Sequence, residues 1–588
     1  MKSFRQIFLE AENKISGIAA APGIVIGKAY LFMKEKIDVN RGEITDIEEA
    51  KRNLEEALNK SRKELNKILG IAREKMGDER AAIFEAQIMI LDDPVLIENI
   101  QKRIETERKQ PEYIVDDEIS KYQDLMMISH ETYMKERAHD IEDIKNRIVR
   151  NLQKKRWQSR IKQDVVVVSD SLTPADTILL SRSNVQGFIT DHGGLTSHAA
   201  IVSRSLNIPA VVGTHNATLH IRDDDTIIVD GFHGYIIINP NEEHIEFFNQ
   251  KLDKLRQLQK ELEELKDKPA VTTDGKKITL QANVDVTGEI DMVVTSGAEG
   301  IGLYRTEQIL EELGEFPSED EQARIYTNLS SRIYPETFTI RVFDIGGDKY
   351  RLLDYKEPNP FLGLRGIRLL LENQGIFRTQ IKAILRASVN KNIQVMLPMV
   401  STIKEIRQAK TLIEECRQEL KKNKISYDKD MKIGIMVEVP TAALMAKEFA
   451  AEVDFLSIGT NDLIQYLMAV DRGNDLVADL FQEFSPAVIR TIHHIVREAK
   501  KSHKSVSLCG EMAADTLAIP LLVGLGLESL SMSPSTIAYA KRIIRSCSMD
   551  SLEKLADECL SYVTQEEVLE SIEKFFRENQ ITRTRNII

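Results

Sequence analysis

Residues 432–462 read KIGIMVEVPTAALMAKEFAAEVDFLSIGTND, and this stretch sets the pattern for the second half of the chain. Two short apolar runs, IGIMV and FLSI, predict buried strands, and the segment between them predicts a helix. Eight segments of this kind, each followed by a helical pattern, succeed one another: ITLQANVD (278–285), GIGLYRTE (300–307), FTIRVFDIG (338–346), IQVMLPMVS (393–401), KIGIMVEVP (432–440), DFLSIGTND (454–462), SVSLCGEM (505–512) and LESLSMS (527–533). Eight β/α units fit a closed (β/α)8 barrel over residues 270–588, although a doubly wound sheet produces a similar alternation.

Polar side chains collect at the carboxyl ends of these strand candidates. They are Asn283, Asp285, Arg305, Arg341, Asp344, Glu438, Asn461, Asp462, Cys509 and Glu511. Catalytic residues of a barrel lie at that end of the strands. Positions far apart in the sequence are therefore expected to meet at one rim.

Three arginines of this region, Arg305, Arg341 and Arg472, provide more positive charge than a structural ion pair needs. Guanidinium groups bind phosphate and carboxylate oxygens in a bidentate manner, so a small anion with two or three charges is the expected ligand. Glu438 and Asp462 add two carboxylates, which suit Mg²⁺ when water and substrate oxygens complete its coordination. The simpler interpretation is that some of these groups only form salt bridges at the rim.

Cys509 ends the seventh strand candidate, and the glycine that follows permits close approach of another group. A single cysteine is more often a small buried apolar residue than a catalytic thiol. The spacing alone leaves both interpretations open.

The first 240 residues show a different sequence pattern. SGIAAAPGIVIGKAYLF (16–32) predicts a glycine-punctuated strand pair. From Asp164 the runs VVVVS, GFIT, AVVG, TIIVD and YIIIN predict further strands, with one helix after Pro174 and another after Ser197. We expect residues 1–34 and 155–240 to form one α/β module.

Residues 35–154, between these two parts, predict an all-α insert. Thr45 to Glu48 has the form of a capping box, and apolar residues then recur on one helical face until Gly77. Pro94 and Pro111 each fit the first turn of a helix, which gives about four helices. After the α/β module, residues 241–269 predict a linker helix with a heptad-like apolar stripe.

The segment DHGGLTSHAAIVSRSLNIPAVVG (191–213) contains two histidines. Its glycine pair permits a sharp turn, and Thr196 or Ser197 can cap a helix that has His198 in its first turn. The amide groups and dipole at that helix end would keep the imidazole neutral and stabilise a phosphoryl group transferred to it. His192 precedes the turn and therefore lies away from the amide groups and dipole of that helix end. A histidine near a helix start is otherwise more often an ordinary surface residue.

Composition narrows the class of protein. The 588 residues are 42% hydrophobic and 29% charged, which is ordinary for a globular protein. A net charge of −13 argues against nucleic-acid binding. Four cysteines without a CxxC pair favour free thiols in the cytoplasm. We expect no signal peptide and no membrane span, because the start lacks an apolar core and no run of about 18 apolar residues occurs.

Several long motifs occur in a fixed order: GGLTSHAAIVSRSLNIPAVVG, GLYRTE, RVFDIGGDK, NPFLGLRGIR, GIMVEVP, SIGTNDLIQYLMAVDRGN and LCGEMAAD. They resemble Enzyme I of the bacterial phosphotransferase system, the phosphoenolpyruvate–protein phosphotransferase family. The resemblance runs from about Ile15 to near the C-terminus. It implies a swivelling α/β phosphohistidine domain with an inserted helical subdomain, followed by a TIM barrel.

The resemblance also implies the roles of individual residues. Phosphoenolpyruvate would phosphorylate His198, Thr177 would help to orient that histidine, and Cys509 would protonate the enolate to release pyruvate. At the rim, the substrate would be bound by Arg305, Arg341, Asn461 and Arg472. The two Mg²⁺ ligands would be Glu438 and Asp462. The helical insert would dock the phosphocarrier protein HPr, and the barrel would form a homodimer. Since one histidine has to reach both the rim and HPr, the α/β module is expected to swivel about segments near Pro240 and Pro269.

The chain departs from the family pattern at the phosphohistidine loop. Family members commonly carry Arg where this chain has Leu195, and an unreplaced phosphate contact would cost about 1.5–3 kcal/mol. His192 is also unusual at its position, and we hypothesise that it partly replaces that contact. The run QILEELGEFP after Glu307 is less aromatic than in the family, which leaves the substrate loop's behaviour open.

Two alternatives accompany the resemblance. Pyruvate phosphate dikinase and phosphoenolpyruvate synthase share a swivelling histidine and a barrel, but they need an ATP-binding domain, and no glycine-rich nucleotide segment is present here. A regulatory Enzyme I relative would sense phosphoenolpyruvate without driving sugar uptake. We expect no N-terminal sensor domain, which weighs against this second alternative.

Overall fold

A computed structural model describes residues 11–581, apart from residues 12, 34–37, 77, 128–131, 155–163, 182, 196, 314–315, 347–356, 358, 473 and 475. The chain divides into two compact units between Lys254 and Leu255. They are named the N-terminal unit and the C-terminal unit below.

The described part of the N-terminal unit contains a mixed eight-stranded sheet. Its strands are β1 (Lys14–Ser16), β2 (Ile18–Ala21), β3 (Ile24–Leu31), β4 (Val165–Ser169), β5 (Gly187–Thr190), β6 (Ala210–Val212), β7 (Thr226–Asp230) and β8 (Tyr235–Ile238). They lie in the order β1-β8-β7-β3-β4-β5-β6-β2. The run VVVVS is buried at every position of β4, as expected for a parallel strand that is covered on both faces. The predicted joining of the first thirty residues to the later strands in one sheet is confirmed.

The predicted strand pair at residues 16–32 is wrong in its pairing. β2 pairs with β6, whereas β3 lies between β7 and β4, so these sequence neighbours occupy separate places in the sheet. Pro22 and Gly23 separate them, and Gly23 has a φ of 138°, a backbone conformation that favours glycine. Strand pairing depends on distant partners, which the local sequence does not reveal.

The helical insert lies between β3 and β4, as predicted. Its described part contains five helices rather than about four: Ile47–Met76, Asp78–Leu91, Pro94–Glu107, Pro111–Met127 and Thr132–Leu152. Pro94 and Pro111 stand at first helical positions, which confirms that prediction. The predicted cap is wrong by one residue, because the N-cap of helix Ile47–Met76 is Asp46, whose carboxylate accepts the amide of Glu49 at 3.0 Å. Aspartate is at least as good an N-cap as threonine.

Three other helices are described in the N-terminal unit: Pro174–Ser181, His198–Ser205 and Ala217–His220. The first two follow Thr173 and Ser197, as predicted. They pack against the helical insert, where Ile178 and Val202 join a buried cluster with Phe84. Buried apolar contacts therefore hold the helix that begins at His198.

Eight parallel strands close into a barrel in the C-terminal unit. They are β9 (Thr279–Val284), β10 (Ile301–Arg305), β11 (Phe338–Arg341), β12 (Ile393–Leu397), β13 (Ile433–Val437), β14 (Phe455–Ile458), β15 (Ser505–Leu508) and β16 (Ser529–Met532). Each lies within one of the eight predicted segments. Because β16 pairs with β9, the sheet is closed, which confirms the barrel and rules out the doubly wound alternative.

α-Helices surround the barrel, and those described are Ile290–Ser296, Glu307–Leu313, Glu319–Ile333, Ile367–Glu372, Gln374–Ala387, Ile403–Lys422, Pro440–Leu444, Ala446–Glu452, Thr460–Met468, Pro486–Lys501, Ala518–Gly524, Ile537–Arg545, Met549–Ser561 and Gln565–Glu578. Their apolar faces and the strands form one continuous core. The barrel rim is thus held on a rigid scaffold.

The predicted linker helix is confirmed as Glu242–Leu265, and it contains the boundary between the two units. Its last turns belong to the C-terminal unit. Leu258 and Leu262 pack with Tyr539, and Arg542 Nε donates to Glu261 at 3.0 Å.

The chain that follows this helix is also bound within the C-terminal unit. Lys541 Nζ donates to the carbonyls of Lys266 and, at 2.7 Å, Gly297. Arg545 donates to the carbonyl of Pro269 at 2.8 Å. The segment near Pro269 is therefore bound to the barrel in this structure, and the predicted swivel near Pro240 and Pro269 stays a prediction.

Within the described ranges, no helix combines the length and the apolar character needed to cross a membrane.

Candidate active site

Most of the polar residues predicted at the barrel rim line one cavity of about 120 Å³, although Asn283 and Asp285 do not. The seven predicted site residues of the barrel are all present: Arg305, Arg341, Glu438, Asn461, Asp462, Arg472 and Cys509. The cavity is much smaller than the roughly 300–1,000 Å³ typical of sites for drug-sized ligands. Its size suits a small metabolite.

Local structure explains why these side chains meet. Arg305 and Arg341 end β10 and β11, whereas Glu438 and Cys509 directly follow β13 and β15. Asn461 and Asp462 lie in the first turn of helix Thr460–Met468, which follows β14. Since all eight strands are parallel, their carboxyl ends share one rim.

Each of the three predicted arginines is engaged by a carboxylate. One Nη of Arg305 donates to both carboxylate oxygens of Asp285, at 2.9 and 2.8 Å. Arg341 is buried and donates to Glu307 at 3.0 Å, with Asp344 at 3.4 Å. These carboxylates raise the pKa of Arg341 against the opposing effect of burial. The expectation of salt bridges at the rim is therefore confirmed, and the shared anion site stays a prediction.

Arg472 and Asn461 share one partner, Glu511. Arg472 Nη1 donates to Glu511 Oε1 at 3.2 Å, and Asn461 Nδ2 donates to the same oxygen at 2.8 Å. The backbone amide of Glu511 in turn donates to Asn461 Oδ1 at 2.9 Å. This reciprocal pair fixes the Asn461 side chain at the rim, beside the exposed guanidinium.

Arg365 is a site residue that the sequence analysis did not single out. Its guanidinium donates to Asp344 at 2.8 Å and to Asp462 at 3.1 Å, and it lies 3.3 Å from the hydroxyl oxygen of Tyr466. A long connection separates Arg365 from the end of β11 in the sequence. The rule that site residues directly follow barrel strands therefore did not identify it. A signal was nevertheless present, because it lies within the motif NPFLGLRGIR.

Glu438 is a strongly perturbed carboxyl of the cavity. It is 1% exposed and accepts the amide of Met399 at 2.6 Å. Burial, together with the charges of Asp462 and Asp344, raises the pKa of Glu438 to about 8. Clustered carboxylates of this kind repel one another and are relieved by a cation. The buried carboxylate of Glu438 and that of Asp462 therefore fit a hard divalent cation.

Within the described part of the chain, no cluster of three or more His, Cys, Asp or Glu side chains has the arrangement of a metal site. Mg²⁺ characteristically binds to one or two carboxylates and keeps several water or substrate oxygens.

Cys509 lines the cavity and is 1% exposed. Its sulfur accepts a hydrogen bond from Ser457 Oγ at 3.3 Å, and its thiol donates to the carbonyl of Ile458 at 3.6 Å. Burial raises the pKa of the Cys509 thiol, whereas the hydrogen bond from Ser457 acts in the opposite direction. The thiol is therefore kept in its protonated form. All four cysteines are free, as predicted.

The histidine loop of the N-terminal unit has the predicted form. Ser197 is the N-cap of helix His198–Ser205, and its side chain accepts the amide of Ala200 at 3.4 Å. Gly193 has a φ of 123° at the preceding turn. Just before it, the buried carboxylate of Asp191 accepts the amide of Ala217 at 2.6 Å and anchors the end of β5. His198 thus begins the helix; the alternative cap, Thr196, lies outside the described residues.

Thr177 is fully buried in the neighbouring helix, Pro174–Ser181. Its hydroxyl donates to the carbonyl of Thr173 at 3.0 Å. The predicted role of Thr177 in orienting His198 stays a prediction.

The two departures from the family pattern lie at the surface of the loop. Leu195 is exposed, and its carbonyl accepts a hydrogen bond from Arg204 at 2.7 Å. His192 Nδ1 lies 3.0 Å from Asp170 Oδ1, and both side chains are exposed. His192 is therefore accessible at the loop, which keeps the hypothesis of a replacement contact open.

Three family models match consecutive parts of the chain. They describe the PEP-utilising enzyme, N-terminal (residues 16–137), its mobile domain (residues 161–234) and its PEP-binding domain (residues 259–549). Relatives from Bacillus sp. (strain S) and Geobacillus stearothermophilus are each 42% identical over 570 residues, covering 96% of this chain and 98% of theirs. A relative from Staphylococcus carnosus is 41% identical over 567 residues, covering 96% of this chain and 99% of its own. All three are named phosphoenolpyruvate-protein phosphotransferase. At this identity and coverage, the chain belongs to the phosphoenolpyruvate–protein phosphotransferase family.

Proposed function

We propose that phosphoenolpyruvate binds in the rim cavity and phosphorylates His198, which then passes the phosphoryl group to the phosphocarrier protein HPr as the first step of sugar phosphotransfer. The observation that carries this proposal is the cavity itself. One small space is lined by Arg305, Arg341 and Arg472, two proposed metal-binding carboxylates and a protonated thiol.

The three arginines account for the affinity for an anion. A phosphate and a carboxylate offer oxygens to guanidinium groups in bidentate geometry. In the structure Asp285 and Glu511 hold Arg305 and Arg472 at the surface of the rim. Such exposed pairs contribute little free energy, so an anionic substrate can take over these guanidinium groups at low cost.

Glu438 and Asp462 are the proposed ligands of Mg²⁺. When bound, the ion would neutralise the negative charge that gathers on substrate oxygens. The raised pKa of Glu438, caused by burial and neighbouring carboxylates, supports this assignment. Arg365 would hold Asp462 in place through its hydrogen bond of 3.1 Å.

His198 is the proposed phosphoryl acceptor. A ring nitrogen attacks phosphorus, the bond between phosphorus and the enol oxygen breaks, and enolpyruvate leaves. The arginines stabilise charge on the phosphoryl oxygens during this step. Amide groups in the first turn of helix His198–Ser205 favour the phosphoryl group once it is attached. Thr177, on the adjacent helix, is the proposed orienting residue.

Cys509 is the proposed acid that completes the reaction. Its thiol proton moves to the methylene carbon of the enolate, which becomes the methyl group of pyruvate. The raised pKa of the buried thiol supports this role, because an acid has to hold its proton until the enolate forms.

The proposed division of labour follows the chain. Residues 1–34 and 155–240 form the phosphohistidine domain, residues 35–154 dock HPr, and residues 270–588 bind substrate and form a homodimer. Exposed apolar side chains support both contacts, with Met89 and Val95 on the insert and Leu444 and Met445 on the barrel. Residues 241–269 are the linker, and its docked C-terminal turns favour a swivel N-terminal to Leu255.

Pyruvate release from phosphoenolpyruvate in the presence of Mg²⁺ and HPr tests this proposal. We expect Arg341→Gln and Arg472→Gln to lower turnover at least about 100-fold, because each removes positive charge from the transition state. Arg386→Gln is the matched control, since Arg386 pairs with Glu319 on the outer surface of the same barrel. Arg472 is exposed, so its loss leaves no buried charge unpaired. Wild-type turnover in Arg472→Gln would contradict the proposed site.

A further inference from the structure

The barrel interior carries a pair of serines directly behind Cys509. Barrel interiors are usually filled by branched apolar side chains. Here Ser457 of β14 is 1% exposed and is the register partner of Ser507 on β15. Ser457 lies on the same face of its strand as Phe455, which packs against Cys509. Two hydroxyls thus replace apolar atoms close to the proposed acid.

These hydroxyls form a directed chain of hydrogen bonds. Ser507 Oγ donates to Ser457 Oγ at 3.0 Å, and Ser457 Oγ donates to Cys509 Sγ at 3.3 Å. In this arrangement Ser457 accepts one hydrogen bond, from Ser507, and donates one, to the sulfur. Ser457 does not line the rim cavity, so it reaches the reaction only through Cys509.

We propose that Ser457, held by Ser507, is a positioning residue for the proton donor Cys509. It fixes the sulfur at the cavity wall and stabilises the thiolate that remains after the proton has left. This inference rests on the proposed function, because it presupposes that Cys509 protonates the enolate.

The chemical step balances within these groups. The S–H bond of Cys509 breaks and a C–H bond forms at the methylene carbon of enolpyruvate, while the enolate oxygen becomes the carbonyl oxygen of pyruvate. The negative charge moves from the enolate to sulfur, where the hydroxyl of Ser457 donates to it. A proton from water restores the thiol after pyruvate has left. No electrons are exchanged with another molecule.

The energetic case for this role follows from the burial of Cys509. A thiolate that is 1% exposed has little access to water, so its hydrogen-bond donors decide how costly it is to form. The hydrogen bond from Ser457 lowers the pKa of Cys509 against the larger, opposing effect of burial. A hydrogen bond to a charged group is stronger than one to a neutral group, so the bond strengthens as the proton leaves.

Exchange of the pyruvate methyl hydrogens with deuterium isolates this step. The full-length protein is incubated with pyruvate and Mg²⁺ in deuterium oxide, and the methyl signal is followed by proton NMR over a range of pyruvate concentrations. We expect Ser457→Ala to lower the maximal exchange rate about 10- to 100-fold, as for loss of a hydrogen bond to a charged group, with the half-saturating pyruvate concentration unchanged. Ser507→Ala should have a smaller effect. Ser529→Ala is the matched control, because Ser529 donates to Gln281 at 3.2 Å in the same barrel and not to sulfur.

Phosphorylation of His198, followed by intact mass after addition of phosphoenolpyruvate and Mg²⁺, separates the inference from the proposed function. Ser457→Ala should still be phosphorylated, because protonation follows phosphoryl transfer. Wild-type exchange in Ser457→Ala would overturn the inference, and so would an equal loss of exchange and phosphorylation, which indicates a merely structural role. If the wild-type protein neither exchanged nor was phosphorylated, the proposed function would fail and this inference with it.

Discussion

Arg365 and Asp344 are joined by two hydrogen bonds in the rim of the barrel, from Nη2 at 2.8 Å and from Nε at 3.3 Å. The same guanidinium donates to Asp462 at 3.1 Å, and both Arg365 and Asp344 are buried. One cation thus connects the end of the third barrel strand with a proposed metal ligand. Charges of Asp344 and Asp462 raise the pKa of Arg365 against the effect of burial.

Arg365→Met is therefore expected to lower the stability of the C-terminal unit by about 2–4 kcal/mol, because it removes the ion pair that the buried Asp344 makes with Arg365 at 2.8 Å. Urea unfolding of the full-length protein, with the transition of the C-terminal unit assigned by its tryptic resistance, measures this change. Arg407→Met is the control: its pair with Glu452 lies at the barrel surface, so its loss should cost less than about 1 kcal/mol. Equal effects of the two substitutions would argue against a buried network.

Lys541→Met should loosen the end of the linker. The buried ammonium group of Lys541 holds the carbonyls of Lys266 and Gly297, and methionine leaves both acceptors unsatisfied, at a cost of about 2–3 kcal/mol. Hydrogen–deuterium exchange of residues 262–270 should become faster in this variant. Lys554→Met, which removes an exposed pair with Asp550, should leave the exchange of this segment unchanged. Unaltered protection in Lys541→Met would show that the apolar contacts of Leu258 and Leu262 suffice.

Glu483 makes the stability of the barrel depend on pH. Burial, followed by the charges of Asp515 and Glu511, raises the pKa of Glu483 from 4.5 to about 6. The folded state therefore holds this proton more tightly than the unfolded state, and the stabilisation is fully present below pH 4.5 and is lost as the pH rises through about 6. We expect Glu483→Gln to be more stable than wild type by about 1–2 kcal/mol at pH 7.5, with little difference at pH 4.5. Thermal unfolding at both pH values measures this, with the exposed Glu448→Gln as control; a stability gain that is equal at both pH values would contradict the assignment.

His192 allows a test of the loop's departure from the family pattern. If His192 replaces the phosphate contact that Leu195 lacks, then His192→Ala should hydrolyse its phosphohistidine several-fold faster, as expected for loss of one hydrogen bond. The decay of the phosphorylated mass with time gives this rate. His220→Ala is a suitable control, because its ring binds the carbonyl of Asn216 on the helix Ala217–His220. An unchanged lifetime in His192→Ala would remove His192 from the site.

The sequence revealed the barrel because eight short strand patterns alternate with helical patterns, and several of these strands end in a polar residue. Arg305, Glu438 and Cys509 stand at such ends, so their convergence followed from the fold. Arg365 could not be predicted in this way, because a long connection separates it from β11 in the sequence. Only the three-dimensional structure shows that it lies next to Asp344.

Strand pairing and the choice between two helix caps account for the other differences between the predicted and the observed fold. β2 and β3 are adjacent in the sequence but bind different neighbours, because pairing is decided by strands that arrive much later in the chain. At the start of the insert, Asp46 and Thr45 are both good caps, and only the observed hydrogen bond of Asp46 distinguishes them. The hydrogen bonds from Lys541 to the end of the linker were not predicted either, because no local pattern links these two segments of the chain.

The central claim is that His198 receives the phosphoryl group of phosphoenolpyruvate. Intact-mass spectrometry after addition of phosphoenolpyruvate and Mg²⁺ tests it on the wild type, on His198→Ala and on His192→Ala. We expect one acid-labile phosphoryl group on the wild type and on His192→Ala and none on His198→Ala. A wild-type protein that stays unmodified, or a His198→Ala variant that still gains the phosphoryl group, would contradict it.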